Sequence, residues 1–242
     1  MSAGMSRALL LAWIVAGLAL ALLALAGPLY RIGLLSIPNA FAVLGGAAFV
    51  GIAAMLLGLG TALWAYRRGA RPTAVLAAGA LVLGLIAFAI PLQWQRTART
   101  APPIHDITTD LENPPAFEAI VPLRAEAPNT LERPPLLTQQ QREGYPDLAP
   151  ITLPQPPAEV FDRALAVAQE AGWEIVTADK STGRIEATDT TRWFGFKDDV
   201  VVRIMAWGSG TRVDVRSVSR VGRSDVGTNA RRIQRYLEAL QS

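Results

Sequence analysis

The chain has 242 residues, is 51% hydrophobic and contains no cysteine, which excludes disulfides as a source of rigidity. Residues 1–96 carry six arginines and no Asp or Glu, while all 20 acids and the other 17 basic residues lie beyond them. The overall net charge of +3 therefore describes the flanks of apolar segments and makes no case for a nucleic-acid partner.

Three uncharged apolar stretches come first, at about residues 8–27, 40–66 and 73–94. Each reaches the roughly 20 residues that cross a bilayer core, so the lipid bilayer is the first expected partner. Ala54 with Gly58, and Ala80 with Gly84, stand at four-residue spacing, which lets helices approach closely. Trp13, Trp64, Tyr66 and Trp94 lie near the ends, where aromatic rings favour the interface. Arg67, Arg68 and Arg71 crowd the second loop and Arg7 precedes the first span, against Arg31, Arg96 and Arg99 on the other side. That contrast favours a cytoplasmic N-terminus and a periplasmic C-terminal domain in a bacterial inner membrane. Ala24-Leu25-Ala26 also fits a cleavage site, which makes the first stretch readable as a signal peptide.

Residues 97–157 hold 13 of the 17 prolines, and none follow. Proline fixes φ and removes a donor, so an extended arm is expected, with neither long helix nor central strand. Phe117, Ile120, Val121, Leu123, Leu136 and Leu137 make it too apolar for a pure spacer. Residues 158–242 read as a separate α+β domain. A helix follows Pro156-Pro157 and ends at Gly172; then come "WEIVTAD", "GRIEATDT", "DVVVRIMAW" and "TRVDVRSVS", and a second helix opens near Ser224. The fold class is thus three transmembrane helices followed by helix, four-strand antiparallel meander and helix, with helices on one sheet face. "WFGF" (Trp193–Phe196) is read as a bulged corner packed on the arm, with a tip dipping into lipid or a partner as the alternative.

"RSVSRVGRSDVGTNARRI" carries the richest chemistry, with Arg216, Ser217, Arg220, Arg223, Ser224, Asp225, Asn229 and Arg232 as candidate binding residues. Ser224 suits an N-cap with Asp225 in the first turn. Asp225, Asn229, Arg232 and Tyr236 line one flank of the helix beside its apolar stripe, where polar groups should be paired. Asp198 and Asp199 open the preceding strand, point to opposite faces and suit pairing with these arginines. Residues 97–199 are net −8 and residues 200–242 net +5, so internal ion pairing is the favoured reading. An anionic lipid or glycan group held at the Arg216–Arg223 edge is the alternative.

His105, the one histidine, stands beside Asp106 and Asp110. They are weak metal candidates, because zinc sites want more nitrogen or sulfur, and a hydrolase using them is a third reading. No metal site, cofactor motif or strand–G-x-S-x-G–helix pattern is present, so no catalytic residue is assigned and the reading leans against an enzyme. The spans lack ionisable residues, which argues against ion transport.

"IHDITTDLENPPAF", "FGFKDDVVVRI" and "VDVRSVSRVGRSDVGTNARRI" resemble the signature segments of the bacterial domain-of-unknown-function family 1499, over about residues 103–240. The resemblance implies an envelope-associated domain without assigned activity. Its recurrent polar positions fall on Asp198, Asp199, Arg216, Ser217, Arg220, Gly222, Ser224, Asp225, Gly227, Asn229 and Arg232. Some members carry a Cys-containing segment where this chain has "HDITTD". The helix–meander–helix order is also similar, as fold alone, to the helix-grip domains of the outer-membrane assembly lipoprotein C. The function these readings favour is a membrane-anchored envelope protein that binds or scaffolds a partner without catalysis.

Overall fold

The computed structural model describes residues 3–242. Two compact units emerge: one runs through Arg99 and takes in Trp193–Gly195, and the other comprises Thr100–Arg192 and Phe196–Ser242. The sequence reading packs this corner on the arm, whereas Trp193–Gly195 group with the helices.

The helical unit consists of α1 (Ala3–Arg31), α2 (Ile37–Arg67) and α3 (Arg71–Thr100). All three are long and apolar enough to cross a membrane, with mean hydropathies of 2.7, 2.3 and 2.5. The helices extend beyond the apolar stretches because helix propensity, not hydropathy, sets where hydrogen bonding stops. Ser36 caps α2, its hydroxyl accepting from the Asn39 amide, and Gly69 at φ +71° stops it. What is buried between the helices is small: Ala12, Ala16, Ala47, Ala54, Ala80 and Ala87 are all inaccessible, while Phe49, Leu56 and Val75 face outward. Without a hydrophobic drive between helices in lipid, close backbone approach supplies the packing.

The approach is tightest at Gly84. A Cβ there would lie 2.6 Å from the Gly51 carbonyl oxygen and 2.9 Å from the Met55 nitrogen. Gly84→Val is therefore expected to lower the thermal stability of the detergent-solubilised chain, by about 1–3 kcal/mol as for other overpacked interiors. Gly60→Ala, with nothing within 4 Å of the added carbon, should cost no stability in the same melting experiment.

The second unit is built on one antiparallel sheet in the order β1-β6-β5-β4-β3, with β2 also pairing β6. Its elements are β1 (Asp106–Thr108), a 3-10 turn (Val121–Arg124), α4 (Pro135–Gly144), β2 (Ile151–Leu153), α5 (Pro157–Glu170), β3 (Glu174–Asp179), β4 (Arg184–Thr190), β5 (Lys197–Trp207), β6 (Gly210–Ser219) and α6 (Thr228–Gln241). The four-strand meander is present as β3–β6, but the sheet has six strands. The Pro-rich arm supplies the other two, and it also holds a ten-residue helix, α4. β2 pairs with residues 211–213 and β1 with residues 216–218, so two three-residue strands lie end to end along the far edge of β6. Very short partners satisfy that edge where a long proline-bearing strand would fail.

Strand alternation then gives the sheet two unlike faces. Val200, Val202, Ile204, Val213, Val215, Ile185 and Ala187 face α5 and α6, meeting Phe161, Ala164, Ile233 and Leu240 in the main core. Each large side chain buried there contributes about 1.5–3 kcal/mol. The opposite face has a smaller apolar cluster of Val201 and Val218 with Phe117 and Ile120 of the arm. Charge dominates the rest of it.

Candidate functional site

On the arm face, three buried carboxylates each hold two arginines. Asp199, inaccessible to solvent, accepts from Arg220 Nε and Nη2, each at 2.9 Å, from Thr188 Oγ1 at 2.7 Å and from Arg124 Nη1. Asp106 accepts from Arg216 Nε at 3.0 Å and Nη2 at 2.8 Å, and lies 3.0 Å from Arg133 Nη1. Asp214 takes Arg203 and Arg212, which Asp110 also bridges. The arginines are anchored further by arm carbonyls: Arg216 donates to Pro115 and Leu131, and Arg220 to Leu123. Glu186 accepts the Glu118 and Ile120 amides at 2.8 and 2.9 Å. These bonds satisfy arm backbone groups that proline-rich chain cannot pair in a ladder.

Burial pushes the Asp199 carboxyl upward, but the hydrogen bonds from Arg220, Thr188 and Arg124 overcome it and hold the group below the ordinary carboxylate value. Asp110 behaves alike: its burial is outweighed by the Asn113 and Glu112 amides and the two arginines.

The helix face holds a second network. Arg232, on α6 and 8% exposed, donates to Asp198 Oδ2 at 2.6 Å, Asp189 Oδ2 at 2.8 Å, Ser217 Oγ at 3.1 Å and Asn229 Oδ1. Asn229 accepts from Ser217 at 2.7 Å and donates to Ser219 Oγ and the His105 carbonyl, each at 3.0 Å. Burial alone would pull the Arg232 guanidinium down; Asp198 and Asp189 reverse that and raise it.

The candidate residues thus divide. Arg216, Arg220 and Asp199 lie on the arm face, and Asp198, Ser217, Asn229 and Arg232 on the helix face. Asp198 and Asp199 do point apart, and both pair with arginines. Arg216 chooses Asp106, from the arm, over either of them. Arg223 is exposed and pairs with no acid among the described residues. His105 contributes its backbone carbonyl, while Asp106 and Asp110 are held by arginines. Among the described residues, no three His, Cys, Asp or Glu side chains gather as metal ligands.

Helix α6 begins at Thr228, later than the expected start near Ser224. Val226 at φ +54° and Gly227 at φ +76° turn the chain left-handed, which a helical first turn cannot accommodate. Ser224 therefore is not the N-cap; its hydroxyl donates to the Pro102 carbonyl and accepts from the Val226 amide. Asp225 takes the capping work instead, accepting from the Gly227 amide at 2.9 Å and the Asn229 amide at 2.7 Å. Burial lifts its carboxyl above the ordinary 3.8 despite those two bonds, with Asp198 adding to the rise. For a raised carboxyl, the stabilising contribution is complete below 3.8 and is lost as pH rises through the shifted value. Asp225→Asn should accordingly gain on the native protein in melting temperature as pH is raised across that window.

Sequence reasoning missed Arg124, Arg133, Gln141, Glu186 and Asp189. Gln141, wholly buried on α4, brackets β1 by accepting from the Thr108 amide at 3.1 Å and donating to its carbonyl at 2.6 Å. The available signal was Arg212, Asp214 and Arg216 at one strand parity beside Arg203, which marks a charged face needing partners.

A search of the curated proteins finds no match to the chain. A family model does match, that of a protein of unknown function (DUF1499), over residues 106–240. The matched span opens in β1 with the carboxylate that holds Arg216 and closes on Leu240, the last core residue of α6. It covers more than half of the chain, which therefore belongs to the DUF1499 family.

Proposed function

We propose that this protein is a non-enzymatic binding or scaffolding module of the bacterial cell envelope. In this reading the three apolar helices hold it in the inner membrane, and the α+β unit works on the periplasmic side. The observation that carries the reading is the commitment of the conspicuous arginines: Arg216, Arg220 and Arg232 each engage a buried carboxylate at 3.0 Å or less. Guanidinium groups so engaged hold the arm and α6 on the sheet and are occupied by the protein's own acids rather than held ready for a substrate.

The test has two parts. Crosslinking of the full chain in native membranes, followed by mass spectrometry, should recover the same protein partner reproducibly; lipid without protein would overturn the reading. Protease added outside spheroplasts should degrade the C-terminal unit, and its protection would reverse the topology. A companion experiment addresses the arginines. Arg220→Ala should lower the melting temperature, and Arg223→Ala should change the stability by no more than about 0.5 kcal/mol. Loss of an anionic ligand in either variant at unchanged melting temperature would count against the structural role.

A further inference from the structure

An open groove of about 550 Å³ runs between the end of α5 and the exposed side of α6. That volume suits a small organic molecule. Its floor is aromatic: the Trp173 and Tyr236 rings stack with centroids 4.8 Å apart at 23°, and both side chains are buried. Val167 and Ala171 continue the apolar lining. Tyr236 is fixed by its hydroxyl, which donates to the Ala164 carbonyl at 2.8 Å.

The charges around this floor are not all spent. Arg232 and Asp189 line the groove as a pair, and Arg232 also reaches the buried Asp198. Arg231 and Arg235, one helical turn apart, line the groove and meet no carboxylate among the described residues. Arg231 donates only weakly, to the Val226 carbonyl at 3.2 Å and Thr228 Oγ1 at 3.4 Å. Glu170 lines the same groove and is exposed, without an ion pair among the described residues. Asp189 and Arg232 also line the groove but pair with each other, so three arginines stand against two carboxylates and the lining is net positive by one. Side chains four residues apart on a helix are neighbours, so one dianionic group can meet both forks.

We propose that this groove binds an amphiphilic phosphate monoester, its phosphate held by Arg231 and Arg235 and its apolar body lying along Val167, Ala171 and Ala239 above the edges of Trp173 and Tyr236. The site is distinct from the Arg216–Arg223 edge, where Arg216 and Arg220 serve buried acids. It stands independently of the scaffolding reading, because it needs no protein partner.

The test uses the full chain in nanodiscs of phosphatidylcholine, titrated calorimetrically with hexyl phosphate, inorganic phosphate and hexanol. Hexyl phosphate should bind at least about tenfold more tightly than either fragment probe, a difference of one logarithmic unit in Kd. Arg231→Gln and Arg235→Gln should each weaken it about tenfold with the melting temperature unchanged, since both side chains are exposed. Glu170→Gln should tighten it, and Arg223→Ala should do nothing. Repeating the titration in nanodiscs containing phosphatidic acid distinguishes sources: weaker apparent binding there identifies a lipid headgroup as competitor, and unchanged binding identifies a soluble phosphate monoester. Equal binding of hexyl phosphate and inorganic phosphate, or indifference to both arginine substitutions, would overturn the proposal.

Discussion

Asp199→Asn is expected to destabilise the sheet unit by about 3–5 kcal/mol, the range for removing one partner of a buried ion pair. For a unit of this size, that corresponds to a fall in melting temperature of roughly 10–15 °C. The physical reason is double occupancy. One carboxylate serves both Arg220, on the sheet, and Arg124, in the arm, with side chains 17% and 4% exposed. An amide accepts only at its oxygen, its NH2 end can only donate toward the guanidiniums, and it neutralises neither cation, so two largely buried charges lose their counterion together. The pH dependence supplies a second check. Because the Asp199 carboxyl is held below its ordinary 3.8, its stabilisation is complete above that value and is lost as pH falls beneath it. The difference between native and variant melting temperatures should therefore shrink on acidification below about pH 4. A difference that stays constant to low pH would show that the lost stability is not electrostatic. Thr188→Val, which removes the neutral donor at 2.7 Å and a long acceptor contact to Arg220 at 3.4 Å, should cost about 1 kcal/mol in the same measurement.

Arg232→Met should be comparably damaging on the other face, again by about 3–5 kcal/mol. It strands Asp198, whose side chain is 4% exposed, together with Asp189 at 29%, and it removes a donor from Ser217 and Asn229. Here too the gap to the native protein should narrow on acidification, but from the variant's side. A stranded buried carboxylate is relieved by taking up a proton, so the variant should recover part of its deficit as pH falls, whereas with Asp199→Asn the gap narrows because the native protein loses its ion pairs. Melting curves of the full chain in detergent across pH, compared variant by variant with the native protein, check both expectations. An Arg232→Met deficit that stays constant to low pH would remove the stranded carboxylate as its cause.

The contrast between these two acids also shows where sequence reading succeeds. They are adjacent, and strand alternation alone sends them to opposite faces, which the register confirms: Asp198 opposes Ser219 and Asp189, while Asp199 opposes Val218 and Thr188. Asn229, Arg232 and Tyr236 were likewise legible as one flank of a helix, and all three are buried there. The start of that helix was not legible. Ser-Asp is an ordinary capping signal, and only the left-handed turn at Val226 and Gly227 moved the cap to the Asp225 carboxylate.

Composition and periodicity by themselves determined the three long apolar helices, the α5–β3–β4–β5–β6–α6 order and the apolar face of the sheet. Those features follow from local rules: hydrocarbon length, a repeat of 3.6 and a repeat of two. The tertiary structure alone decided that the Pro-rich arm contributes β1 and β2 to β6. It also decided which acid meets which arginine, over separations of 75 residues for Arg124 with Asp199 and 110 for Arg216 with Asp106. Charge complementarity is long-range and carries no period, so many pairings satisfy the same composition, and only packing of the arm against the sheet selects one of them.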